Sequence, residues 1–207
     1  SKRMNMTQLP FNGFDVMLVL ILAAGLVKGR KAGMSGELLS LTKWLTIVFV
    51  CAMAYEPVGS FFNQETSIFS MLSCYLMAYV GAALFVVLIF MGIQRGLHGK
   101  LLGSDVFGRA EYYLGMGSGL IRFACILIAF LALLNARYFT PKEVQAEERF
   151  QNDVYGSDFF PTLHTVQSTV FEKSLTGPWI KEHLGFLLIK PTEDQSKSLR
   201  RGQAAWQ

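Results

Sequence analysis

From Ile68 to Ile93 the chain reads IFSMLSCYLMAYVGAALFVVLIFMGI, without one charged side chain. As an α-helix at about 1.5 Å per residue this stretch reaches about 39 Å, more than the ~30 Å of hydrocarbon in a bilayer. A soluble core does not require an uncharged helix of that length. The stretch therefore predicts an all-α chain that spans a membrane. Composition agrees: 52% of residues are hydrophobic and 16% charged, against about 25% charged in soluble domains. The net charge of +4 and the pI of 9.0 come from basic residues gathered in loops beside apolar segments. That pattern orients a membrane protein and is not a nucleic-acid footprint.

Around this centre the hydropathy predicts four transmembrane helices in residues 14–136, at about 14–30, 38–55, 68–93 and 114–136. Residues 1–13 form a polar N-terminal tail. Lys2 and Arg3 ahead of an apolar run, with Ala23-Ala24-Gly25, mimic a signal peptide. The basic flank Lys28, Arg30 and Lys31 and the further spans predict a retained helix instead. Lys43 and Trp44 read as interface anchors of span two. Glu56-Pro57 is predicted to end that span, because a residue before proline avoids the α region. Gly81, Ala82 and Ala83 read as a close-packing spot in span three.

Residues 137–191 are predicted to be an amphipathic helical extension. Thr140 and Pro141 supply an N-cap and first position for a charged helix, KEVQAEERF. Gly156-Ser157-Asp158 breaks it. Two amphipathic stretches follow, Leu163 to Leu175 and Trp179 to Ile189, split by Thr176-Gly177-Pro178. The second is too short and too charged to span, and is expected to lie on the membrane or pack on the bundle. Residues 192–207 are polar and predicted to be disordered.

Glycines recur four apart. Gly25, Gly29 and Gly33 put a glycine stripe on one helix face, where a second backbone can approach closely; the alternative is a flexible loop beginning near Gly29, and Gly33 fits either. Gly92 and Gly96 repeat the spacing at the end of span three, and Gly115 and Gly119 at the start of span four. These seven are the candidate helix-packing residues. Between spans three and four, Leu97, Leu101 and Leu102 recur at helical spacing, with Arg95, His98 and Lys100 on other faces, as in a short interfacial helix. Arg122 sits about two turns inside span four. A charge there is costly, so it either pairs, snorkels or serves a function.

The basic residues set an orientation. Link one carries Lys28, Arg30, Lys31 and Lys43, link three carries Arg95, Lys100 and Arg109, and link two carries none. The positive-inside rule places links one and three in the cytoplasm and both termini outside it.

Catalytic constellations are missing from the sequence. Ser118 lies between glycines, as an intramembrane serine nucleophile would, but His98, His164 and His183 all fall outside the spans. A carboxylate dyad needs two acids that share a proton, and only Asp15 is near a span. No metal-ligand spacing, dinucleotide fingerprint or P-loop occurs. Cys51, Cys74 and Cys125 lie in three different apolar segments, where cysteine acts as a small hydrophobe. No enzyme activity, cofactor or metal is expected.

The ordered set of residues resembles the colicin V production protein family (CvpA). An aromatic-Asp step opens span one (Phe14-Asp15), followed by a basic-Gly step (Lys28-Gly29), a further glycine (Gly33) and a Glu-Leu-Leu stretch (Glu37-Leu38-Leu39). Span four is entered through Gly108, Gly115 and Gly119, followed by Arg122. The likeness covers roughly Phe11 to Ala136. It departs at the seven-residue spacing of Gly108 and Gly115. It departs again at Phe123, where a small residue is common, and in the tail from Pro141 to Gln207, longer than in short members. The resemblance implies a four-span bacterial inner-membrane protein tied to colicin V export and to cell-envelope integrity, without an enzyme activity. It puts forward Asp15, Lys28, Glu37 and Arg122, with Gly29 and Gly33, as the residues to test.

Two functions are compatible with this reading. One is an accessory or scaffold protein in toxin export or envelope maintenance, whose glycine faces bind its own copies or other envelope proteins. The other is a small channel or transporter subunit with Arg122, Asp15 and the basic loops along a polar path. Besides the lipid bilayer, a homo-oligomer or export partners are expected, and no nucleic acid.

Overall fold

The structure, a computed structural model, describes residues 12–65, 69–97, 108–155 and 161–193. The chain is mostly helical. Three long helices come first: α1 (Gly13–Glu65), α2 (Met71–Leu97) and α3 (Glu111–Asn135). All three, with α2 counted to Gly96, are long and apolar enough to cross a membrane. Then come strand β1 (Arg137–Tyr138), helices α4 (Pro141–Tyr155), α5 (Leu163–Phe171) and α6 (Thr176–His183), and strand β2 (Thr192–Glu193). The described residues fall into two compact units. One comprises 12–20 with 139–185, and the other is drawn from 21–138 and 186–193.

In the larger unit α1 is broken once. Gly33 has φ 71° and ψ 172°, outside any helical region. That combination is open to glycine and strained for every L-residue. The partners on either side show what the break does. Gly25 lies against Gly119, Gly29 against Gly115, and Gly33 against Glu111, so the chain runs down α3 toward its N-terminal end. Glu37 then meets Arg122, back up α3. The chain has reversed at Gly33.

The returning part of α1 packs against α2. Cys51 Sγ donates to the Tyr79 carbonyl at 3.5 Å, and the Tyr55 and Tyr75 rings meet edge to face at 5.6 Å. Gly59 has no room for a Cβ, which would collide with the Tyr75 ring. This contact corrects one sequence expectation: Pro57 does not end the helix, which runs on to Glu65. Proline removes one N–H and crowds one carbonyl. Here the apolar packing of the next turn against α2 holds the backbone helical.

At the far end of α3 a polar layer closes the unit. Asn135 Nδ2 donates to the Ile189 carbonyl at 2.9 Å. The Lys190 amide donates to Tyr55 Oη at 3.3 Å. Lys190 Nζ sits 2.8 Å from Glu56 Oε1, both side chains exposed. The hydrogen bond and charge of Glu56 hold the Lys190 ammonium above its ordinary pKa. β1 and β2 pair in parallel, Arg137 with Thr192 and Tyr138 with Glu193.

Three expectations for the C-terminal part are corrected here. Trp179 to Ile189 is not one helix: α6 ends at His183, a 3-10 turn spans Gly185–Leu187, and the chain then extends. Leu187, Leu188 and Ile189 are all buried in succession, a pattern that no one-sided helix can satisfy. The tail expected to be disordered from 192 starts with a paired strand, so the chain is not wholly α-helical. Thr176-Gly177-Pro178 does not separate two helices but opens α6.

In the smaller unit α4 starts with a reciprocal cap. Thr140 N–H donates to Glu143 Oε2 and Glu143 N–H to Thr140 Oγ1, the capping-box arrangement. Thr162 caps α5 through the Thr165 amide at 3.1 Å. α5 ends at Phe171, short of Leu175. The α5–α6 turn is tight: Ser174 Oγ donates to the Val170 carbonyl and accepts from the Gly177 amide. A Cβ on Gly177 would strike that carbonyl. The expected break at Gly156-Ser157-Asp158 and most of the expected interfacial helix, with His98, lie outside the described residues.

Candidate functional site

The glycine seam brings two of the candidate charges of the larger unit, Glu37 and Arg122, within reach of each other. A side chain on Gly29 would collide with the Gly115 carbonyl and stand 2.9 Å from Gly119 Cα. One on Gly115 would lie 2.6 Å from the Gly29 carbonyl and 2.8 Å from Gly33 Cα. One on Gly25 would lie 2.9 Å from the Gly119 carbonyl, and one on Gly119 would strike the Gly25 carbonyl. Two backbones touch along this face because neither carries a Cβ. Gly33 meets the Glu111 side chain, whose Oε1 accepts from Ser35 Oγ and from the Ser35 amide at 3.4 Å. Just outside the seam, Arg30 lies over the Tyr112 ring, 4.7 Å from its centroid.

The backbone contact brings the second segment of α1 close enough for an ion pair. Arg122 Nη1 sits 2.5 Å from Glu37 Oε2, with 11% and 3% of the two side chains exposed. Arg122 also stands over the Phe123 ring at 5.1 Å. Its Nε has no hydrogen-bond partner among the described residues. In an apolar interior an unpaired charge is far more costly than a paired one. The pair thus fastens Glu37, four residues past the reversal, to α3.

Asp15 is at work in the other unit. It is buried in the first turn of α1 and accepts four hydrogen bonds. The Leu175 amide donates to Oδ2 at 3.1 Å, the Thr176 amide to Oδ1 at 3.2 Å, Thr176 Oγ1 to Oδ1 at 2.7 Å, and the Asn12 amide to Oδ2 at 3.2 Å. Asn12 Nδ2 donates to the Thr169 carbonyl at 3.0 Å. Asp15 therefore caps α6 from a distance of 160 residues in sequence. Leu175, at the N-cap position, has no side chain able to do so. A carboxylate suits the positive end of a helix.

Of the sequence candidates, Gly25, Gly29, Gly33, Gly115, Gly119, Glu37 and Arg122 come together at one place. Lys28 is exposed and outside that cluster. Gly92 and Gly96 do not join any seam: nothing described lies within 4 Å of a Cβ on either. Gly81 is likewise open and lines an apolar groove of about 650 Å³ between α1 and α2, with Ala54, Ala78 and Ala82. Sequence reading missed Ser35, Glu111, Asn135 and Thr176. Glu111 carried a weak signal as an acid in the first turn of an apolar helix. The other three are ordinary polar residues whose roles arise from contacts distant in sequence.

Ser118, between its glycines, is buried and donates to the Gly115 carbonyl at 3.0 Å. Cys51, Cys74 and Cys125 are buried free thiols. Among the described residues no three His, Cys, Asp or Glu side chains group so as to hold a metal ion.

The colicin V production protein family matches residues 14–175, from the turn that holds Asp15 through the seam to the residue that Asp15 caps. The chain belongs to that family. The match runs well past Ala136, where the sequence resemblance stopped, and takes in α4 and α5. No curated protein and no solved structure matches the chain. This member of the colicin V production family is a membrane protein by its family and its long apolar helices.

Proposed function

We propose that this protein is a four-span accessory scaffold of the bacterial inner membrane, acting in toxin export or envelope maintenance and not as an enzyme. The observation that carries the reading is how the suggestive groups are used. The glycine faces of spans one and four close on each other. Arg122 is taken up by Glu37, and Asp15 by the start of α6. Groups that would line a polar path are spent on holding helices together, which favours a scaffold over a channel. The fold-back at Gly33 supports counting α1 as two crossings, 13–32 and 34–65. Partners would then meet the apolar faces that the seam leaves outward, so the glycine packing builds the scaffold and other surfaces serve assembly.

The test is the mass of the complex in nanodiscs, with co-purification from the native membrane and flux measured in liposomes. A small assembly carrying a reproducible set of envelope proteins, without ion or solute flux, is the expected result. A closed homo-oligomer whose flux changes with Arg122→Leu would overturn it in favour of a pore.

A further inference from the structure

The hydrogen bonds of Asp15 fix where α5 and α6 must be. Asp15 is in the first turn of α1, the end of an apolar helix suited to cross a bilayer. Its carboxylate holds the amides of Leu175 and Thr176, and Asn12 beside it holds the Thr169 carbonyl. The α5–α6 turn is thereby fastened to the first turn of α1.

What α6 shows outward is amphipathic, with Lys181 and Glu182 exposed beside a face that carries Trp179. Gly177 and Ile180 are its buried side. At four-residue spacing on another face stand Leu175, Trp179 and His183. Leu175 is 58% exposed and Trp179 is 56% exposed. The Trp179 and His183 rings stack at 4.8 Å, joining an apolar ring to a polar tip. Lys173 and Lys181 are exposed beside them. On α5, Leu163 and Val166 are exposed as well. In the same unit, Val16, Met17, Val19 and Leu20 at the start of the apolar helix α1 are exposed too.

We propose that α5 and α6 form a foot lying in the headgroup region of the bilayer, at the surface where α1 begins, with Trp179 and Leu175 inserted into the lipid. Tryptophan prefers this level, and helices with such a face bury it about 5–10 Å into the headgroup–acyl boundary. Asp15 is the positioning residue: by capping α6 it holds the inserted face at the right depth. The inference rests on the membrane-spanning reading above and adds the occupant of the α5–α6 face, a lipid surface.

The test places a single tryptophan. Trp44 and Trp206 are replaced by phenylalanine, leaving Trp179, and the full chain is put in phosphatidylcholine–phosphatidylglycerol nanodiscs with bromine at shallow or deep acyl positions. Shallow bromine is expected to lower Trp179 fluorescence about twofold, deep bromine less, and aqueous acrylamide little, as befits an interfacial ring. Asp15→Asn, and independently Thr176→Val, should weaken the bromine effect and raise the acrylamide effect. Quenching by acrylamide alone, or by neither agent as when another protein covers the face, would overturn the proposal. A second protein retaining only Trp44 separates the two readings. Bromine quenching of Trp44 but not Trp179 sinks the foot alone, whereas no bromine quenching of either sinks the membrane reading as well.

Discussion

Gly25, Gly29 and Gly33 in α1 and Gly92 and Gly96 in α2 are the same sequence pattern with opposite fates. Gly25 and Gly29 are pressed against Gly119 and Gly115 until there is no room for a methyl group, and Gly33 meets the Glu111 side chain. The second set meets nothing among the described residues. Four-residue spacing makes a flat helix face, but whether a neighbour fills it depends on where the chain turns. In α1 the turn is Gly33, whose φ of 71° places the next segment so that Glu37 reaches Arg122. α2 has no such reversal beside its glycines among the described residues. A glycine repeat therefore marks a possible seam, and a residue with left-handed backbone beside it marks a used one.

The contrast breaks most sharply at the seam. Gly29→Leu should abolish the native packing of α1 on α3, seen as loss of a cooperative thermal transition in detergent, while Gly92→Leu should leave that transition in place. Equal damage from both would show that the two repeats are not different. Next in size is the ion pair. Arg122→Leu leaves Glu37 buried and unpaired and should cost about 3–5 kcal/mol. The double change Glu37→Leu with Arg122→Leu should recover most of it, a difference that a double-mutant cycle in detergent unfolding reads directly.

Smaller effects sharpen the picture. Asp15→Ala removes the cap of α6 and should cost roughly 2–3 kcal/mol. Limited proteolysis would detect it as new cleavage between Thr162 and Gly185 with α1–α3 still protected. Gly33→Ala forces an L-residue into a glycine-only conformation, at about 1–3 kcal/mol. The smallest effect belongs to Gly96→Ala, where the open face and better helix propensity should stabilise the protein by up to about 1 kcal/mol. A loss of stability there would mean that Gly96 has a contact of its own.

The candidate residues were legible in different degrees for physical reasons. Arg122 announces itself, because a charge in an apolar helix needs a partner. Its partner, Glu37, stood out only through the family likeness. Asp15 was legible as an acid at a helix start, but the helix it serves best is not only its own. Pro57 misled because its local cost was read without the packing beyond it. The buried run Leu187–Ile189 was read as part of a helix because burial along an extended segment follows no helical period.

By itself the sequence determined that this chain is helical and built for a membrane, since uncharged runs of that length have no other economical fold. It also put forward the four-residue glycine repeats as possible packing faces and Arg122 as a charge that must pair, snorkel or serve a function. Only the tertiary structure decided which glycine faces close, that Glu37 answers Arg122, and that Asp15 caps α6. Each of these joins residues tens to more than a hundred positions apart. Local propensity and periodicity have no information about such pairs, because the reversal at Gly33 and the return of the C-terminal segment bring them together only once the whole chain has folded.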